Sequence, residues 1–162
     1  RIIGLPGDTV RISDGIVLIN DQPFKKEKTG IFEDFHRNGY LEKFDLYKET
    51  NDIGEEYLVI DDISFDGILG ANFREGEYFD LNNTNDYIVP KGHYFVMGDN
   101  REHSSDSRIL SQVGFVNEQN LVGKAAMIFL SIKYSNKKIR IFGLEFGKYP
   151  DEIRLKRIGK LL

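Results

Sequence analysis

Near its start the chain reads Thr9-Val10-Arg11-Ile12, then Ser13-Asp14-Gly15, then Ile16-Val17-Leu18-Ile19. Two short apolar or alternating runs around Asp-Gly leave little choice but a β-hairpin, because the turn takes residues that tolerate positive φ and each run has a face to bury. Just before it, Gly4-Leu5-Pro6-Gly7-Asp8 sets two glycines and a proline within five residues, which forces a tight, fixed turn. Short runs and short connections continue along the chain. Residues 57–60 read as a strand, residues 78–81 and 87–89 flank a polar turn at 82–86, and residues 93–97 and 139–142 read as strands. Residues 121–134 are the longest apolar stretch, and their β-branched and aromatic content favours strand. Residues 25–51 carry aromatics at no clean period and read as irregular strands and loops, and residues 67–77 read as loop. Residues 117–120 fit one helical turn. Residues 150–158 start like a helix, with acids in the first turn and bases later. The fold class that follows is mainly β, and antiparallel because the connections are short.

Against this background one stretch stands apart. Gly98-Asp99-Asn100-Arg101-Glu102-His103-Ser104-Ser105-Asp106-Ser107-Arg108 follows the apolar run Tyr94-Phe95-Val96-Met97 and switches abruptly to charge. With no apolar anchor it is neither a packed strand nor an amphipathic helix. Polar residues carried on the end of a rigid strand are where sites tend to be built. This loop is therefore the expected functional centre.

Composition narrows the classes. Apolar residues make up 40% of the chain and aromatics 12%, enough for a core. The net charge of −4 is uneven, since the segment from Lys124 onward is basic and everything before it strongly acidic. An acidic body argues against nucleic acid as a partner, because phosphate binding needs a basic surface. The basic tail suits an anionic surface, lipid included, and reads equally as a solvated charged face. Without cysteine there is no thiol nucleophile, disulfide frame or cysteine-ligated zinc. No apolar run approaches the ~18 residues needed to span a bilayer. The chain opens on Arg1, already within a strand pattern, and is read as part of a longer protein with any membrane anchor upstream. Asp99 to Asp106 lacks the residue order of a calcium loop, and no metal or cofactor is expected. Gly4 to Asp8 lacks the lysine and hydroxyl residue of a phosphate loop.

Two segments together resemble type I signal peptidases, the membrane-anchored serine proteases that remove signal peptides. Arg1-Ile2-Ile3-Gly4-Leu5-Pro6-Gly7-Asp8 is similar to that family's R-x-x-G-L-P-G-D box. Gly98-Asp99-Asn100 through Ser104, Asp106, Ser107 and Arg108 is similar to its G-D-N-x-x-x-S-x-D-S-R box. Gly114-Phe115-Val116 and Leu121-Val122-Gly123 follow in the family's order, after a somewhat long connection at residues 109–113. The resemblance implies a β-rich catalytic core over residues 1–13 and 87–134 and a second β lobe inserted at 14–86. It leaves 135–162 as a basic segment expected to pack on the core. It also implies a serine nucleophile and a lysine base, the lysine immediately before Arg1 and the serine further upstream, so that this stretch alone is expected to be inactive.

A lysine takes a serine proton only when neutral, which requires burial and no carboxylate in contact. By the resemblance Ser104 orients that amine, Asp106 pairs with Arg108, and Asp99 pairs with Arg1. Gly98 lets the backbone approach closely, while Asn100 and Ser107 support the loop. Gly4, Pro6, Gly7 and Asp8 form a structural turn. The implied partners are signal peptides with small residues in an A-x-A pattern, held as an added strand, and a membrane surface. The implied location is the cell (inner) membrane, with the catalytic region on its outer or periplasmic face. Taken alone, Ser104, Asp106 and Arg108 read as a polar turn that satisfies its own backbone; both boxes in order change the reading. The alternatives are a non-catalytic β-rich module that binds exported peptides, or another Ser/Lys protease of related fold.

Overall fold

The computed structural model describes residues 1–35, 41–61, 80–101, 103–128, 130, 132–134, 139–141, 144–146, 150–153 and 155–157. In chain order the strands are β1 (Ile2–Gly4), β2 (Thr9–Ser13), β3 (Ile16–Ile19), β4 (Gln22–Pro23), β5 (Lys25–Phe35), β6 (Leu41–Thr50), β7 (Glu56–Asp61) and β8 (Tyr87–Ile88). They continue with β9 (His93–Val96), β10 (Val116–Asn117), β11 (Ile132–Tyr134), β12 (Ile139–Ile141), β13 (Leu144–Phe146) and β14 (Pro150–Ile153). Two 3-10 turns, Glu118–Asn120 and Leu155–Arg157, are the helical elements among the described residues. The chain is mainly β, as its short apolar runs require.

The hairpin β2–β3 pairs Val10 with Ile19 and Ser13 with Ile16. Between them Asp14 and Gly15 have φ of 47° and 70°, the two left-handed residues that match the twist of the flanking strands. A second turn of the same kind follows at once. Asn20 and Asp21, at φ 51° and 64°, connect β3 to β4. Strand β8 pairs with the other edge of β2 and completes the sheet β4-β3-β2-β8. The expected lobe boundary at residue 13 falls inside this sheet. A second sheet, β1-β9-β10, is antiparallel on both sides of β9, and a bulge at Ile3 shifts the register of β1. Alternate residues of the two sheets face one core of Ile3, Val10, Ile12, Val17, Ile19, Phe24, Val89, Phe95 and Met97. Phe95 sits at its middle, 5.0 Å from the ring of Tyr87 and 6.2 Å from that of Phe115.

A third sheet, β5-β6-β7, replaces the irregular strands and loops expected over 25–51 with two long strands. The period there is hidden by charge, because the face that carries Tyr47, Glu49, Val59 and Asp61 is buried although two of the four are acids. Except for the end residues Phe35 and Leu41, these strands belong to one compact unit, Arg1–Asp34 with Glu42–Leu121.

The second unit is Phe35–Leu41 with Val122–Leu162. In it β11 pairs with β14, Ile132 opposite Ile153, and β12 with β13, Ile139 opposite Phe146. One expectation holds only in part in this region and another fails. Of residues 121–134, 121–126 form no strand while Ile132–Tyr134 do. The expected helix from Pro150 is a strand followed by a single 3-10 turn, because residues 150–153 find an antiparallel partner in β11 and helix-like charge order alone does not hold a short helix. The expectation that 135–162 pack on the core falls mostly outside the described residues, as do those for 67–77, for 78–79, for residue 142 of the strand at 139–142 and for residue 158. Among the described residues no helix is long and apolar enough to cross a membrane.

Candidate functional site

Strand β9 runs into the polar loop, and β1 lies beside it. The ladder between them extends past their ends. The α-amino nitrogen of Arg1 donates to the Met97 carbonyl at 2.7 Å, and the Met97 N–H donates to the Arg1 carbonyl at 2.9 Å. The two boxes, 97 residues apart in sequence from Arg1 to Gly98, thereby meet at adjacent backbone positions. The turn before β2 fixes the other end of β1. Pro6 and Gly7 occupy its middle, with Gly7 at φ 94°, and the Asp8 carboxylate accepts from the Leu5 N–H at 2.8 Å and from the Asn20 amide at 2.9 Å. Gly4 packs against the core so closely that a Cβ there would sit 2.5 Å from Val10.

Within the loop, Gly98 is where the parts converge. Its N–H donates to Asp106 Oδ2 at 3.0 Å, and its carbonyl accepts from Arg101 Nε at 3.2 Å. A Cβ on this residue would overlap the Ser104 hydroxyl and lie 2.6 Å from Ser104 Cβ, so only glycine lets the serine rest on this backbone. Ser104 is half-buried and makes no hydrogen bond among the described residues. Its hydroxyl faces the backbone that continues from Met97, the residue paired with Arg1.

The charged residues are committed to one another. Asp106 is 3% exposed and takes both Arg108 Nε and a terminal nitrogen, each at 2.9 Å, and the Arg108 N–H at 3.2 Å. Burial by itself would push the Asp106 carboxyl up. The Arg108 guanidinium, by hydrogen bond and by charge, and the N–H groups of Gly98 and Arg108 outweigh that and hold it below the usual carboxylate range. Arg108 also donates to the Arg101 carbonyl at 2.6 Å, and its own carbonyl accepts from Tyr87 Oη at 2.9 Å. Asp99 receives Arg1 Nε at 2.7 Å in a pair that stays solvent-exposed, and the Arg1 guanidinium lies 4.2 Å over the ring of Tyr57.

Ser107 is fully buried and works for the backbone. Its hydroxyl donates to the Gly114 carbonyl at 2.6 Å and accepts the Val96 N–H at 2.9 Å, which carries the β9 ladder into the loop. Asn100 accepts the His103 N–H at 3.2 Å. The long connection after Arg108 closes tightly on itself, with the N–H groups of Gln112, Val113 and Gly114 all directed at the Ile109 carbonyl.

Three residues of the third sheet enter this neighbourhood that sequence reasoning left out. Glu49 of β6, with no exposed surface, accepts both terminal nitrogens of Arg101, one of them at 2.7 Å. Tyr57 of β7 lies under Arg1, and burial, then the charge of Glu49, pushes its phenol well above its ordinary range. Ile60 of β7 exchanges backbone hydrogen bonds with Asp99 and Arg101 at 2.8 and 2.9 Å. The signal was available only as an imbalance: with Asp99 given to Arg1 and Asp106 to Arg108, Arg101 had no assigned acid. Among the described residues no group of three or more His, Cys, Asp or Glu is placed to hold a metal ion.

A backbone seam of this kind, with Asp99 and Asp106 paired to arginines and the Ser104 hydroxyl unbonded among the described residues, is suited to holding an uncharged polar group. Comparison with known proteins gives it a context. The family model for "Signal peptidase, peptidase S26" matches residues 1–130. A protein described as "Signal peptidase I" from Rickettsia bellii is 34% identical over all of this chain and 53% of its own length. Its namesake from Rickettsia typhi is 35% identical over all of this chain and 58% of its own length. The chain thus spans a little over half the length of these relatives.

Proposed function

Because the chain belongs to the signal peptidase, peptidase S26, family, we propose that it forms part of a membrane-anchored serine endopeptidase that removes signal peptides from exported proteins. In this reading the nucleophilic serine and the lysine base are supplied by residues before Arg1, with the lysine adjacent to it. The observation that carries the reading is the reciprocal pairing of Arg1 with Met97 next to the Gly98–Ser104 contact. In this reading a residue preceding Arg1 continues the β1 ladder beside Gly98, in the neighbourhood of a hydroxyl that has no hydrogen-bond partner among the described residues.

The chemistry asks for a neutral amine. A carboxylate touching it would keep it charged, and among the described residues the acids beside this loop are engaged: Asp99 with Arg1, Asp106 with Arg108, Glu49 with Arg101. Ser104 then serves as a neutral hydrogen-bond partner that orients the amine without charging it. The amine takes the proton from the serine hydroxyl as its oxygen attacks the peptide carbonyl, and returns it to the leaving amine as the acyl-enzyme forms. Water, deprotonated by the same amine, releases the acyl group. The substrate is an extended segment with small residues in an A-x-A pattern, held by strand addition and delivered at a membrane surface on its outer or periplasmic side. The catalytic core in this reading comprises 1–13 and 87–134, with 14–86 inserted between them.

The test is a protein extended upstream to the length of its relatives, assayed on a preprotein with an A-x-A site. Cleavage is expected there, none with residues 1–162 alone, and Ser104→Ala should lower kcat by about tenfold or more in a protein that still folds. No cleavage by the extended protein, or turnover unchanged in Ser104→Ala, overturns the reading.

A further inference from the structure

The Gly98 backbone is gripped from two sides. On its N–H side stands the ion pair Asp106–Arg108, which lies within the family's own box. On its carbonyl side stands Arg101, and behind Arg101 stands Glu49, which comes from a different sheet. Glu49 and Arg101 are 0% and 3% exposed, and the pair is bidentate. A buried ion pair is no better for stability than two well-packed apolar side chains, because taking both charges out of water offsets most of their attraction. What a bidentate pair does supply is a fixed direction: the guanidinium plane is set by the carboxylate, and the remaining Nε–H then points one way. Here it points at the Gly98 carbonyl.

Other contacts from the same sheet reach the same loop. Ile60 of β7 bonds the backbone on both sides of Asn100, Tyr57 lies under the Arg1 guanidinium, and Phe44 of β6 meets the His103 ring edge-on at 5.6 Å. The loop residues on which Ser104 rests are thus aligned partly from outside the two boxes.

We infer that Glu49 is a positioning residue for the catalytic loop, acting through Arg101 to fix the Gly98 peptide and, with it, the Ser104 hydroxyl; this rests on the function proposed above. Loss of the Glu49 charge leaves Arg101 free to turn, and the Gly98 carbonyl loses its donor. The substrate-binding surface need not change. The defect therefore belongs in the chemical step, where small misplacements are costly.

The experiment uses the upstream-extended enzyme and its A-x-A preprotein. Glu49→Gln keeps the size of the side chain and removes its charge. Its kcat, referred to active enzyme, is expected to fall about ten- to a hundredfold while KM stays within about twofold. Arg101→Lys keeps the charge but loses the planar fork, and should show the same split more weakly; it also serves if Glu49→Gln does not fold. An inactive wild-type enzyme overturns the proposed function itself. An active wild type with kcat unchanged in both variants, whatever their melting temperatures, overturns the positioning role alone. A rise in KM with kcat unchanged does the same.

Discussion

Asp106 carries more of the loop than its position in a polar run suggests. It neutralises Arg108, caps the Arg108 N–H and holds the Gly98 N–H, all from a buried site. Asp106→Asn keeps the shape but cannot satisfy a bidentate guanidinium, so it should cost about 2–4 kcal/mol of stability at neutral pH, measurable by urea denaturation. The pH dependence has a definite sign. A carboxyl held below its ordinary range in the folded state contributes stability that is full above the unfolded pKa and lost as pH falls through the folded one. The gap between wild type and Asp106→Asn should therefore be complete above about pH 5 and shrink below about pH 4. A gap that persists unchanged at pH 2 would mean that the carboxylate is not what stabilises the loop. At this scale the sequence was informative about residue types and silent about burial. Ser107, Asp106 and Arg108 looked like solvated loop residues by composition, yet they are as buried as the apolar core. Only the resemblance to a family pairs Asp106 with Arg108, and it assigns no partner to Ser107 or to Arg101, whose acid lies 52 residues away.

Elements were legible wherever a local turn dictated them. The β2–β3 hairpin followed from Asp14-Gly15 alone, and the site's access to β1 follows from the fixed turn around Pro6 and Gly7. Strands β5 and β6 are not legible, since the buried face of their sheet holds Glu49 on β6 and Asp61 on the neighbouring β7 in place of the apolar residues that make a period visible. The strand at β14 was misread as a helix because the acid-first, base-last order of its residues is a local cue, and the partner strand that overrides it lies about 20 residues upstream in β11. The hairpin turn offers a test of the local argument. A Cβ at Gly15 would meet Lys26, Asn82 and Asp61 at ordinary contact distances of 3.5 to 3.6 Å, so space is not the obstacle. The cost of Gly15→Ala is the positive φ of 70°, about 1–2 kcal/mol. Denaturation should show a loss in that range with the unfolding slope unchanged. A loss above about 4 kcal/mol would instead implicate the buried polar groups beside the turn.

At the scale of the molecule, the first compact unit is joined by ion pairs where its apolar core ends. The core cluster fills the space between β4-β3-β2-β8 and β1-β9-β10, while the third sheet meets its neighbours through Glu49–Arg101 and through Lys26 of β5, which is held by Asp61 of β7 in its own sheet and reaches across to Gly15. Lys26 and Asp61 are 4% and 1% exposed, and the Lys26 ammonium also donates to the Gly15 carbonyl at 2.8 Å, which ties the hairpin tip to the third sheet. One Asp61 oxygen has no hydrogen-bond partner among the described residues, so this pair is only just compensated. Lys26→Met removes its cation and leaves a buried carboxylate alone, at a cost of about 3–5 kcal/mol. Lys26→Met with Asp61→Leu removes both charges and should recover at least half of that loss, since packed apolar residues replace a buried pair at little cost. Urea denaturation of the two variants decides it. If the double variant is as unstable as the single one, the pair is itself a stabilising unit, and the view of these buried pairs as devices for alignment more than for stability fails. If it recovers, the same logic extends to Glu49–Arg101, where the charge is retained beside the loop for the geometry it imposes on Gly98.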